Sequence, residues 1–196
     1  MNVIPNPTFI AIDTATTGLD PARDYLLEVG WQLVVEGKLR GDPESAFIHQ
    51  GQAEAYYATV PHNYATDATL VRWRAGEHVR LFEVMKRIYV TTAASPIRPA
   101  LCFHNAPFDM SFLTTQTMLE AESAAFFFEE ARGPFSRRMI DTQAIALYHH
   151  LRGNCESCAL GKLCAHFDIM NEAPHTAGGD ARVTVQLALA MLREGL

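Results

Sequence analysis

The chain has 196 residues, 48% of them hydrophobic and 19% charged, with a formal net charge of −6. That suits one domain with a sizeable core, residues 1–196, and excludes a disordered chain. The acidic balance argues against a protein that merely coats nucleic acid, but it leaves room for an enzyme whose acids gather at a metal site.

Phe9 to Asp13 is a short, continuously apolar run ending in an acid, and reads as a buried strand. Thr16-Thr17-Gly18-Leu19-Asp20-Pro21 is turn chemistry. Leu26 to Val35 reads as an antiparallel partner strand, with Gly37 at a hairpin tip and Phe47-Ile48 in a third strand. Pro43 and Pro61 are expected to bound irregular stretches. From Thr66 to Val90 the apolar positions recur every three or four residues, which predicts one or two helices. Its basic residues, Arg72, Arg74, Arg80, Lys86 and Arg87, are expected on a solvated helix face. Ala100 to Phe103 is a further buried strand, and Asp109 to Leu119 a helix. Ala121 to Arg138 shows no clear period, and its Phe126–Phe128 suits core or an aromatic patch equally. Met139-Ile140 leads to Asp141, read as the N-cap of a helix over Thr142 to Leu151. Within that helix His149-His150 reads as a surface pair. Ser157 to Phe167 and Ala181 to Leu192 are helical patterns, and Trp31 and Trp73 are expected in the core. Strands first, then helices interleaved with strands, indicates an α/β mixed sheet.

Cys102, Cys155, Cys158 and Cys164 form no secreted disulfide framework in a chain of this length, no apolar run reaches membrane-spanning length, and the first residues lack a signal-peptide pattern. The expectation is a cytoplasmic protein with no membrane association. Cys158, Leu160, Leu163, Cys164 and Phe167 fit one apolar helix face better than a zinc site.

Three clusters carry chemistry. Asp13 ends the first strand, and position 15, two residues on, shares its face. An acid there would share a metal with Asp13, but the residue is Ala15. Thr16, Thr17 and Gly18 could turn backbone amides toward a nucleotide, and Leu19 could pack on a base. The second cluster is His104-Asn105-Ala106-Pro107-Phe108-Asp109, directly after a buried strand. Asn105 suits a helix N-cap, Phe108 would anchor the helix to the sheet, and Asp109 would project toward the strand ends. The third is His175-Thr176-Ala177-Gly178-Gly179-Asp180. Here an acid at a helix start could hold metal while a nearby imidazole takes a proton from water.

Together these clusters resemble the motifs of the DEDDh exonucleases, the DnaQ-like family that includes polymerase proofreading subunits and ribonuclease T. Asp13-Thr-Ala15-Thr-Thr-Gly18-Leu19 matches Asp-x-Glu followed by Thr-x-Gly, except at Ala15, and Glu28-Val-Gly30 continues in the family manner. His104 to Asp109 matches the second motif in full, and His175 with Asp180 the third, over roughly residues 8 to 192. The resemblance implies a ribonuclease H-like, mixed five-stranded sheet with helices on both faces. It implies two Mg²⁺ or Mn²⁺ ions held by Asp13, Asp109 and Asp180, His175 as general base, and Thr16 to Leu19, His104, Asn105 and Phe108 toward substrate. The implied reaction is 3′-to-5′ release of nucleoside 5′-monophosphates from single-stranded or frayed DNA or RNA ends. The resemblance also admits a homodimer or attachment to a larger nucleic-acid-processing complex. Loss of the acid at position 15 should abolish or strongly impair turnover. Either the alanine was introduced into an otherwise intact site, as the retained His175 favours, or the chain is a degenerate relative that binds ends without cutting. A metal-dependent hydrolase of small nucleotides is a third reading.

Overall fold

The structure is a computed structural model and describes residues 6–50, 64–93, 95–120 and 135–193. In chain order these give β1 (Phe9–Thr16), β2 (Leu26–Val35), β3 (Lys38–Ile48), α1 (Tyr64–Ala75), β4 (His78–Val79), α2 (Leu81–Ala93), β5 (Ala100–Phe103), α3 (Ala106–Leu119), β6 (Met139–Asp141), α4 (Thr142–Leu151), α5 (Leu160–His166) and α6 (Ala177–Arg193). The strands form one sheet in the order β4-β3-β2-β1-β5-β6. β1, β2 and β3 are antiparallel neighbours, while β5 runs parallel to β1 and β6 parallel to β5. The α/β sheet is mixed, as expected, but among the described residues it has six strands and not five. The extra one is β4, whose two residues lie parallel to the end of β3, too short for any periodicity to reveal.

Alternation along β1 sorts the two faces. Ile10 and Ile12 join Leu81, Val84, Met85 and Ile88 of α2 and Phe112 and Leu113 of α3. Phe9 and Ala11 join Ala181, Val185 and Ala188 of α6 on the other side. Helices therefore cover both faces, which is why all ten residues of β2 are buried. α4 and α5 pack outside α6 through Ala146, Leu163, Leu187 and Met191, with Cys155, Cys158, Leu160 and Phe167 beside them, so the apolar-face reading of the cysteine segment holds. All four cysteines are free thiols.

The β2–β3 hairpin turns on two residues, Glu36 (φ 51°) and Gly37 (φ 74°), between the paired Val35 and Lys38. Positive φ at both positions gives the turn whose twist matches the strands. Pro43 does not bound a loop. It lies inside β3, in the irregularity where Trp31 pairs with Glu44 and Leu33 with Arg40, a bulge that spares proline a ladder bond. Pro61 and Phe126–Phe128 lie outside the described residues. Trp31 and Trp73 are buried, as expected. His149 is buried as well and only His150 is exposed, so the two do not form a surface pair, because consecutive helix residues point about 100° apart. No helix among the described residues is long and apolar enough to cross a membrane.

Candidate active site

The same alternation that builds the core places the acids. Asp13 and Ala15 continue the α6-facing side of β1 after Phe9 and Ala11, whereas Thr14 continues the side facing α2 and α3. α6 begins beside Asp13 because β2 carries Gly30 directly opposite it. A Cβ on Gly30 would collide with the backbone of Ala177 and Gly178. The small residue therefore brings the first turn of α6, with Asp180, against the end of β1.

Asp13, Thr14, Ala15, Thr16, Thr69, His175, Ala177 and Asp180 line a cavity of about 160 Å³. Residues from the first and third clusters thus meet across more than 150 positions of sequence. His175 is exposed at its rim and adopts φ 61°. Asp180 accepts a hydrogen bond from Asn171 Nδ2 (2.7 Å).

Asp109 approaches from the other side of β1. It lies in the first turn of α3, is 2% exposed, and its Oδ1 accepts from the Thr14 amide (2.9 Å) and hydroxyl (2.8 Å). It is not among the residues lining the cavity, yet its charge is felt there. Burial raises the Asp13 carboxyl well above its ordinary range, and Asp109, Asp180 and Glu28 push it further. Burial likewise lifts Asp109 to about 7, against the pull of the Thr14 bonds. Asp180 is raised by burial and by Glu28, while Asn171 and His175 draw it back. Carboxylates that raise one another's proton affinity form a site seeking cations.

Among the described residues, however, no three His, Cys, Asp or Glu side chains are arranged to hold a metal ion. Ala15 offers no oxygen, Asp109 is turned onto Thr14, and Glu28 is committed elsewhere, which leaves Asp13 and Asp180 on the cavity. Two carboxylates with an open mouth suit a Mg²⁺-like ion that keeps waters or substrate phosphate oxygens as its other ligands. The donor set therefore fits one such ion, and the pair implied by the motifs lacks ligands as the side chains stand.

The remaining candidates divide. Leu19 is 84% exposed. Thr17 faces inward: its amide donates to the Tyr25 carbonyl (2.9 Å), and its hydroxyl accepts from the Tyr25 amide (2.9 Å) and donates to Asp24 (3.3 Å). The Thr16 hydroxyl donates to the Gly18 carbonyl (2.6 Å), and a Cβ at Gly18 would push aside the Asp24 carboxylate that accepts from Thr17 and from the Asp20 amide. His104 faces α4, where Nδ1 meets the Thr142 hydroxyl (2.9 Å), and burial lowers its pKa. Phe108 packs on the core beside Phe112 (5.1 Å between ring centroids).

Asn105 stands at the N-cap position of α3, but its side chain caps nothing, and it adopts φ 72°. The capping expectation fails because Asp141 does the work from the neighbouring strand. Its carboxylate accepts from the amides of Asn105 (3.1 Å) and Ala106 (3.0 Å) and also from Gln143 (2.9 Å) and Ala144 (3.2 Å) at the start of α4. One acid therefore caps two helices.

Two residues have roles that their local sequence did not reveal. Glu28 is 2% exposed in an otherwise uncharged buried strand, directly opposite Ala15. A lone acid within Leu26-Leu-Glu-Val-Gly30 signals a buried partner. That partner is Arg72 of α1, expected on a solvated face but reaching inward to Glu28 Oε2 (3.2 Å). Nothing in the helical period of α1 distinguished it from Arg74.

The comparisons agree with this architecture. The chain is 27% identical over 189 residues to a DNA polymerase III subunit epsilon-like protein of Rhodobacter capsulatus, covering 94% of this chain and 24% of that protein. It is 24% identical over 195 residues to a PolC-type DNA polymerase III of Streptococcus suis, covering 99% of this chain and 12% of that one. The chain thus spans a quarter or less of the length of these curated relatives. Among solved structures, the nuclease domain of 3′hExo, a DEDDh family member bound to rAMP, superposes with a TM-score of 0.69 at 14% identity, covering 100% of this chain and 96% of that one. E. coli exonuclease I in complex with a dT13 oligonucleotide gives 0.63 at 16% identity over 94% of this chain and 41% of that one. Exonuclease I from Methylocaldum szegediense gives 0.68 at 18% identity over 95% and 40%. A family model described as DNA polymerase III subunit epsilon-like, C-terminal domain, matches residues 63–191, and by that match, over more than half its length, the chain belongs to this DEDDh family.

Proposed function

We propose that this chain is the nuclease module of a 3′-to-5′ exonuclease acting on single-stranded or frayed 3′ ends, with turnover impaired by Ala15. The observation that carries the reading is the convergence of Asp13, His175 and Asp180 on one cavity whose wall includes Ala15. Asp13 and Asp180 would hold a Mg²⁺ or Mn²⁺ ion, and a bound ion supplies charge neutralisation for phosphate and a lowered pKa for water. His175, exposed at the rim, takes the proton from the attacking water. The half-buried Thr16 lines the cavity and would meet the terminal nucleotide, and the exposed Leu19, three residues on, would pack against its base. A second ion would need the missing carboxylate at position 15, or Asp109 released from Thr14. Solved neighbours support the substrate class: one exonuclease I structure carries zinc and single-stranded DNA, and another a dT13 oligonucleotide. Similarity to DNA polymerase III proteins several times longer favours work within a larger assembly.

The test is digestion of DNA and RNA oligomers labelled at the 3′ or the 5′ end by the Ala15→Glu protein with Mg²⁺ or Mn²⁺. Stepwise shortening from the 3′ end supports the enzyme. Tight 3′-end binding with no cleavage under either ion favours the second reading, a non-catalytic end-binding subunit. That alternative draws on the lack, among the described residues, of a third metal ligand.

A further inference from the structure

The segment carrying His175 is gripped from behind by a residue outside the three motif clusters. Arg72 Nη2 donates to the His175 carbonyl oxygen (2.7 Å), to Glu28 Oε2 (3.2 Å) and to Thr69 Oγ1 (3.3 Å). These groups come from the loop before α6, from β2 and from α1 itself, so one guanidinium joins three separate parts of the fold. Glu28 holds the other side as well, its Oε2 accepting from the Ala177 amide (3.4 Å), two residues after His175. His175 has φ 61°, a region that costs any residue with a Cβ and that persists only where the surroundings impose it. A bond to its carbonyl fixes the peptide plane between His175 and Thr176. Holding that plane, with φ at 61°, restricts the direction of the Cα–Cβ bond and leaves the imidazole only its side-chain rotations.

We infer that Arg72, oriented by its ion pair with Glu28, is a positioning residue that aims His175 into the cavity. Arg72 touches the backbone of the general base and no reacting atom. As the partner of Glu28, Arg72 accounts for the acid that an otherwise uncharged strand carries opposite Ala15. The inference rests on the reading of His175 as general base, and its test separates the two.

Arg72→Ala and Arg72→Lys are compared in the chain as it stands and with Ala15→Glu added. Because Arg72→Ala strands a buried carboxylate, the double variant Glu28→Gln/Arg72→Ala is included to remove the pair together. In the unaltered chain, loss of Arg72 should speed amide hydrogen exchange in residues 172–177 and shift the imidazole resonances of His175, while β5 and α3 stay protected. In the Ala15→Glu background, kcat should fall about 100-fold with KM little changed, as expected when a reacting group is misaimed, and Arg72→Lys should recover part of it. Unchanged exchange and imidazole signals on loss of Arg72 would overturn the inference, as would a rise in KM with kcat intact, which would make Arg72 a substrate contact. If Ala15→Glu never cuts, the exonuclease reading fails, while the exchange and imidazole measurements still decide the role of Arg72.

Discussion

Ala15 and Glu28 are direct partners across the β1–β2 ladder, so their side chains share the face that looks toward α6. An acid restored at position 15 would stand next to a buried carboxylate already paired to Arg72. Like charges directly opposite on a sheet repel. Ala15→Glu should therefore lower the stability of the metal-free protein by about 1 kcal/mol, and Mn²⁺ should restore more than it lost. Denaturant melts with and without the ion check this. An Ala15→Glu protein that is more stable without metal would contradict the assigned face.

His175→Ala, made on the Ala15→Glu background, should leave the ion's affinity nearly unchanged while turnover drops by about 100-fold or more. Calorimetric titration with Mn²⁺ beside single-turnover digestion separates the two effects. Equal losses in both would show that the imidazole is a metal ligand and not a proton acceptor.

Asp13, Asp109 and Asp180 all bind protons more tightly when folded than their ordinary carboxyl value of 3.8. Between that value and the Asp109 value of about 7, these three acids hold more protons folded than unfolded, outnumbering the buried His104, whose lowered pKa works the other way. The stability they contribute is greatest at the acid end of this window and falls as pH rises through it. Without metal, the melting temperature should be higher at pH 5.5 than at pH 8. A cation must displace those protons, so the gain in melting temperature from Mn²⁺ should be larger at pH 8 than at pH 6. A pH-independent gain would indicate binding away from these acids.

Asp141→Ala removes the acceptor for four helix amides at once. The expected cost is about 2–3 kcal/mol, the sum of two ordinary caps, read from chemical denaturation. Because α3 carries Asp109, the Thr14 bond should loosen in parallel, visible as faster exchange of the Thr14 amide. Asn105→Ala should cost far less, since its side chain caps nothing.

Much of this was legible beforehand because the relevant signals are local. The buried run Phe9–Asp13, the helix over Thr142–Leu151 and the order of the three clusters each rest on short-range pattern. Parity along β1 also told that Asp13 and Ala15 share a face. What the pattern could not carry was tertiary. The inward turn of Arg72 depends on where α1 lands relative to β2, and the same helical period serves the exposed Arg74 equally well. The capture of the α3 amides by Asp141 depends on β6 pairing beside β5, a contact between positions 36 residues apart, so the local preference of Asn105 for capping lost to a better-placed carboxylate. β4 is two residues long, below the length at which alternation means anything.

Beside β4 the border of the sheet is mostly β3 itself, since β4 pairs only with Phe47 and Ile48, and Lys38 to Ser45 have β2 as their one strand neighbour among the described residues. That rim is exposed and carries Lys38, Arg40, Asp42 and Glu44, with Pro43 in its irregular stretch. Charge, proline and a broken register are the devices that keep an uncovered strand from templating a visitor, so the fold discourages stacking edge to edge with its own kind.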